Sequence, residues 1–124
     1  GRKDIMRYHA VPSVIYTDPE VASVGETEES ARAKGIEYRA SCISMRYSGR
    51  YVAENDGGDG ICKVLIDKRL GKIIGVHMIG NFSSEIIYGA ALMIEAEMRV
   101  KDIKELIFPH PTVSEILREV MFTF

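Results

Sequence analysis

The chain reads as an α+β domain built around a mainly antiparallel sheet. Strand-like segments come first and helical ones last, with one early helix between. That order argues against alternating βαβ units and a parallel sheet. Residues 60–80, GICKVLIDKRLGKIIGVHMIG, set two runs rich in Ile, Val and Leu around the turn DKRLGK, which closes on Gly71. This pattern predicts an antiparallel hairpin. Past residue 112, Val113, Ile116, Leu117, Val120, Met121 and Phe124 recur at helical spacing. They form one apolar stripe on a terminal helix.

Residues 1–10 read as a polar lead-in, and 1–124 as one domain. VPSVIYT (11–17), rich in β-branched residues and ending at a DPE turn, predicts a strand, and VASVG (21–25) a second. TEESARAKG (27–35) carries helix signals: Thr27 as N-cap, acids in the first turn, then Lys34 and Gly35 at the end. EYRASCISMRY (37–47) predicts a long strand, and SGRYVAENDGGDG (48–60) a segment that is mostly loop. SSEIIYGAALMIEAEM (83–98) predicts a helix capped by Ser83 or Ser84. Its apolar positions almost encircle it, so burial on more than one side is expected. VKDIKELI (100–107) predicts a short amphipathic helix.

Sixteen basic and 18 acidic side chains give a net charge of −2, which favours neither nucleic acid nor an anionic membrane as partner. The Arg–Tyr interleaving in RYSGRY (46–51) reads as a strand end with exposed arginines. No apolar run approaches the roughly 20 residues needed to span a bilayer, so a cytoplasmic location is expected. Cys42 and Cys62 both lie in apolar runs with no CxxC or CxxxxC spacing, and read as buried free thiols. His9, His77 and His110 stand at irregular spacings from them, so no metal site is assigned. His77, between Val76 and Met78, reads as a packed or hydrogen-bonded core-edge residue. There is no GxGxxG after a strand, no P-loop, no HExxH and no GxSxG.

The segment FPHPTVSE, 108–115, carries the chemistry. Residues before proline are driven out of the α region, so 108–111 should be extended and stiff, with His110 held between two prolines. A cis His110–Pro111 bond would turn the imidazole off the following helix. Thr112 to Glu115 is a capping-box pattern, in which Glu115 bonds the Thr112 N–H. Side chains in a helix lean toward its N-terminus, so Glu115 also points back toward His110. A carboxylate there could accept Nδ1–H and leave Nε2 free to take a proton. Both readings of Glu115 stand at this level. No nucleophile accompanies the pair within the chain.

VPSVIYTDPEVASVG, GKIIGVHMIG and HPTVSE, in that order, give the chain a resemblance to a known family across nearly its whole length. It resembles the C-terminal interface (dimerisation) domain of the FAD- and NAD-linked pyridine nucleotide-disulfide oxidoreductases. The likeness is strongest to the branch that oxidises dihydrolipoyl groups, with the glutathione-reducing enzymes close behind. The resemblance implies that fold and a homodimer. A His–Glu pair from one subunit, here His110 and Glu115, would complete the partner's site. His110 and Pro111 would approach the partner's FAD. The substrate would be a lipoyl-bearing protein, with electrons passing through FAD to NAD. The FAD and NAD domains would belong to the parent chain, so this chain alone should bind no cofactor and be inactive. The rival expectations are a stand-alone dimerisation module without chemistry and a small hydrolase built on the same pair.

Overall fold

The computed structural model describes residue 1 and residues 3–124; Arg2, in the lead-in, lies outside the described residues. Five strands form one antiparallel sheet: β1 (Ser13–Ile15), β2 (Val21–Gly25), β3 (Tyr38–Ser44), β4 (Ile61–Asp67) and β5 (Ile73–Ile79), in the spatial order β1-β2-β5-β4-β3. The central β4–β5 hairpin is the one expected. Its turn is closed by the Asp67 carboxylate, which accepts the Leu70 and Lys72 N–H groups, and by Gly71 at φ 69°. Helices α1 (Glu28–Ala33), α2 (Gly49–Glu54), α3 (Ser83–Glu95), α4 (Val100–Lys104) and α5 (Glu115–Met121) complete the chain.

Register decides which residues share a face. Ala22, Met78 and Cys62 line up across the sheet, as do Val24, Val76 and Val64. All six are buried, and they join side chains of α3 and α5 in the main apolar cluster. The intervening row, Ser23–His77–Lys63–Cys42, points to the opposite face. There Lys63 Nζ meets the Glu28 carboxylate of α1 at 2.8 Å. Cys42 is therefore exposed, against expectation, while Cys62 is buried. Apolar neighbours in sequence did not reveal that Cys42 lies on an edge strand and faces away from α3 and α5.

His77 stands as expected at the core edge, its Nε2–H donating to the Glu26 carbonyl at 2.9 Å. The same carbonyl lies over Gly75, where a Cβ would come within 2.0 Å of it.

Several boundaries differ from expectation. The first strand is confined to 13–15. The strand expected over 37–47 ends at Ser44, and a 3₁₀ turn, Met45–Tyr47, follows. The stretch read as mostly loop contains α2. Ser48 caps this helix by accepting the Tyr51 N–H at 3.1 Å, and Tyr51 anchors it, 2% exposed. Helix α1 has its Thr27 cap, with Ser30 completing a capping box. Helix α3 is not capped by its own serines. Phe82, in the left-handed region, occupies the N-cap, Ser83 Oγ donates to the Gly80 carbonyl, and the Ser84 N–H is met by the Glu20 carboxylate.

Nor is α3 buried all round. Tyr88 and Leu92 are 71% and 55% exposed, and residues 4–7 of the lead-in and 10–12 line a groove beside them. His9 Nε2 meets Glu95 at 3.1 Å, and Arg7 pairs with the same carboxylate. The stripe on α5 is buried instead: Ile116, Leu117, Val120 and Met121 are all within the core.

Candidate active site

The site is built where the chain leaves α4 and enters α5. Phe108 packs against the core and Val113 is buried in it, so the intervening Pro109–Thr112 loop is pinned at both ends while His110 projects outward. The His110 side chain is 81% exposed; that of Glu115 is 17% exposed. The His110–Pro111 bond is cis, as anticipated.

His110 Nδ1 lies 2.9 Å from Glu115 Oε1 and 3.2 Å from Oε2. An ionised carboxylate can only accept, so Nδ1 carries the hydrogen and, in the neutral ring, Nε2 holds the lone pair. Among the described residues Nε2 has no hydrogen-bond partner. The Thr112 N–H donates to Glu115 Oε2 at 2.9 Å. The two sequence readings of Glu115 are thus not alternatives: one carboxylate serves both the backbone and the ring. These donors, the Thr112 N–H foremost and the imidazole second, hold its carboxyl below the ordinary glutamate value.

Thr112 itself does not cap α5. The helix starts at Glu115, Ser114 is its N-cap residue, and the preceding turn closes through Ile116 N–H to the Val113 carbonyl at 3.1 Å. The Thr112 hydroxyl turns back to the Pro109 carbonyl at 2.7 Å, while Ser114 Oγ lies 2.9 Å from it. A bond that sequence reasoning missed reaches in from α2: Ser48 Oγ donates to the Thr112 carbonyl at 3.0 Å. No local pattern could disclose it, because 64 residues separate the partners and the helix that Ser48 caps was itself unforeseen.

Chemically, the arrangement is an exposed, oriented imidazole able to accept a proton at Nε2. The GGDG stretch runs directly into β4 rather than opening a helix, so backbone N–H groups do not converge there on a phosphate.

The chain resembles known proteins over most of its length. Residues 11–121 match the family described as the pyridine nucleotide-disulphide oxidoreductase dimerisation domain. Dihydrolipoyl dehydrogenase 1, mitochondrial, of Arabidopsis thaliana is 40% identical over 119 residues, 96% of this chain and 23% of that protein. Dihydrolipoyl dehydrogenase of Cupriavidus necator is 38% identical over 119 residues, 96% of this chain and 25% of that protein. The chain therefore spans about a quarter of the length of these curated relatives. Among solved structures, LpdA of Mycobacterium tuberculosis superposes with a TM-score of 0.86 at 21% identity, covering 97% of this chain and 26% of that one. A copper complex of the HOCl-induced flavoprotein disulfide reductase RclA of Escherichia coli gives 0.85 at 25% identity, covering 94% and 26%. Mitochondrial names recur among the relatives, so the comparisons lend no support to the cytoplasmic expectation. The fold and the likeness to dihydrolipoyl dehydrogenases are as expected, and the chain belongs to the dimerisation-domain family of the pyridine nucleotide-disulphide oxidoreductases.

Proposed function

We propose that this chain is the dimerisation part of a dihydrolipoyl dehydrogenase. In that parent enzyme His110 would serve as acid–base residue at the partner subunit's disulfide, with Glu115 orienting it. The observation that carries this reading is the His110–Glu115 bond at 2.9 Å, made by an imidazole whose other nitrogen is exposed. A dihydrolipoyl thiol gives its proton to Nε2, and the resulting thiolate is the form that attacks a disulfide sulfur. Glu115 keeps the hydrogen on Nδ1, so the lone pair needed for that transfer stays on Nε2. Pro109 and Pro111 limit the loop's freedom, which lowers the entropy cost of holding the ring in place. The flavin and NAD of such an enzyme would carry the electrons away. They would be held by other domains of a parent chain, a reading supported by the quarter of its relatives' length that this chain spans.

A base that acts on a partner's disulfide requires a homodimer. Support comes from the family's description as a dimerisation domain and from the apolar surface around Tyr88, Leu92 and the lead-in. The reading is tested in the full-length parent enzyme. His110→Ala should lower dihydrolipoamide-dependent reduction of NAD by roughly 10²–10⁴-fold. NADH-driven reduction of the flavin should be unchanged, because that half needs no thiol proton removed. Full dihydrolipoamide turnover in the folded variant would refute the role. A dimer pairing a His110→Ala subunit with one lacking the redox cysteines should keep one working site across the interface.

A further inference from the structure

We infer that Ser48 is a positioning residue for His110, acting through Thr112 and Glu115; this rests on the reading of His110 as the base. Ser48 is 1% exposed and lies in a segment anchored by Met45, 0% exposed, and Tyr51, 2% exposed. Capping α2 uses only an acceptor position of its hydroxyl, which takes the Tyr51 N–H at 3.1 Å. The hydroxyl hydrogen is surplus to capping, and it is given to the Thr112 carbonyl at 3.0 Å. A cap needs no such donor; an aspartate would cap as well without one.

The consequence lies on the other side of Thr112. Its N–H holds Glu115 Oε2 at 2.9 Å, and Oε1 of the same carboxylate holds His110 Nδ1 at 2.9 Å. The hydroxyl of Thr112 is committed to the Pro109 carbonyl at 2.7 Å. Each polar group of Thr112 is thus spoken for, and the hydrogen bonds of residues 109–115 are otherwise local to that loop and the start of α5. Ser48 supplies the one that reaches the loop from a distant element among the described residues. Burial of Val113 fixes how deep the loop sits but is non-directional. A hydrogen bond to the Thr112 carbonyl is directional and sets the roll of the loop about that anchor. Roll is what aims Nε2, and displacement of a catalytic group by about 1 Å can cost on the order of 10²-fold in rate.

The test uses the full-length parent enzyme with Ser48→Gly, which removes the donor while glycine remains an acceptable N-cap. Ser48→Asp is the second variant: it keeps the cap acceptor and has no hydrogen to give. Ser48→Thr is the conservative rescue. Hydrogen–deuterium exchange of the peptide spanning residues 109–117 reports the tie directly, and steady-state kinetics report its use. Both Ser48→Gly and Ser48→Asp should speed exchange in that peptide about tenfold. Each should lower kcat with dihydrolipoamide about tenfold and leave KM for NAD and NADH-driven flavin reduction unchanged. Ser48→Thr should return both readouts toward the unmodified enzyme. Unchanged exchange and turnover in either donor-less variant that folds overturns the inference. An equal loss in the NADH-driven reaction also overturns it, since that marks general damage rather than positioning. If exchange responds to Ser48→Gly while His110→Ala keeps full turnover, the role assigned to His110 fails and the structural tie stands.

Discussion

Glu115 shows how one carboxylate can serve the backbone and a neighbouring side chain together. Its carboxyl is held low by the Thr112 N–H first and by His110 second. A carboxyl whose folded value is depressed adds stability above its ordinary value of about 4.3. That contribution disappears as pH falls through the lower folded value. Denaturant titrations of the unmodified chain and Glu115→Gln should therefore diverge near neutral pH and converge in acid, with the variant falling less steeply below about pH 4. In the parent enzyme the same variant should cost less turnover than His110→Ala, because the amide keeps the shape and loses the charge. A purely capping Glu115 would instead lower stability by about 0.5–2 kcal/mol and spare turnover of the folded protein. The cysteines part company at this scale too. Burial pushes the Cys62 thiol up to about 12, and only the thiolate reacts. Iodoacetamide at neutral pH should add one adduct to the folded chain, at Cys42, and a second at Cys62 only after unfolding. Mass mapping that finds Cys62 labelled in the folded chain would contradict the packing described.

At the level of elements, Gly75 of β5 pairs with Gly25 at the end of β2 and lies under the Glu26 carbonyl that follows it. A Cβ there would meet backbone, the Glu26 carbonyl at 2.0 Å, and not the yielding end of a side chain. Gly75→Ala should therefore destabilise by at least about 1–3 kcal/mol and weaken the His77–Glu26 bond, measurable as a lowered denaturation midpoint. The β4–β5 hairpin, α1 with its Thr27 cap, and the α5 stripe were legible because their signals are local: a turn residue, a cap, a 3.6 period. Helix α2 was not. It is short and opens on a glycine–arginine pair of no clear period; Ser48 caps it locally, but the burial of Tyr51 that anchors it depends on distant contacts. The cap of α3 failed for the same reason, since Glu20 reaches it from 64 residues away. In the site, proline rigidity and the N-terminal lean of helix side chains left the meeting of His110 and Glu115 as one of two open readings, and the carboxylate makes both contacts. The route by which α2 braces that loop was invisible.

Across the whole molecule, paired carboxylates pull in one direction. Glu28 is lowered chiefly by Lys63, Glu97 by Lys72 and Asp59 by the Ser44 hydroxyl. By the same sign, stability is complete above the ordinary carboxylate range and declines through it as these groups take up protons. Thermal midpoints should be flat from about pH 6 to 8 and fall below about pH 4. Helix α5 occupies a particular place in this structure. The loop at its start is bonded to α2 through Ser48. Beyond its end, Thr123 Oγ1 donates to Ser41 Oγ at 2.6 Å and the Arg39 guanidinium lies over the Phe124 ring. A helix clasped at both ends cannot fray from either one on its own. Its amides, and those of β3 beside it, should open together as a single cooperative unit with similar protection, so that the imidazole rides on the same slow breathing as the sheet.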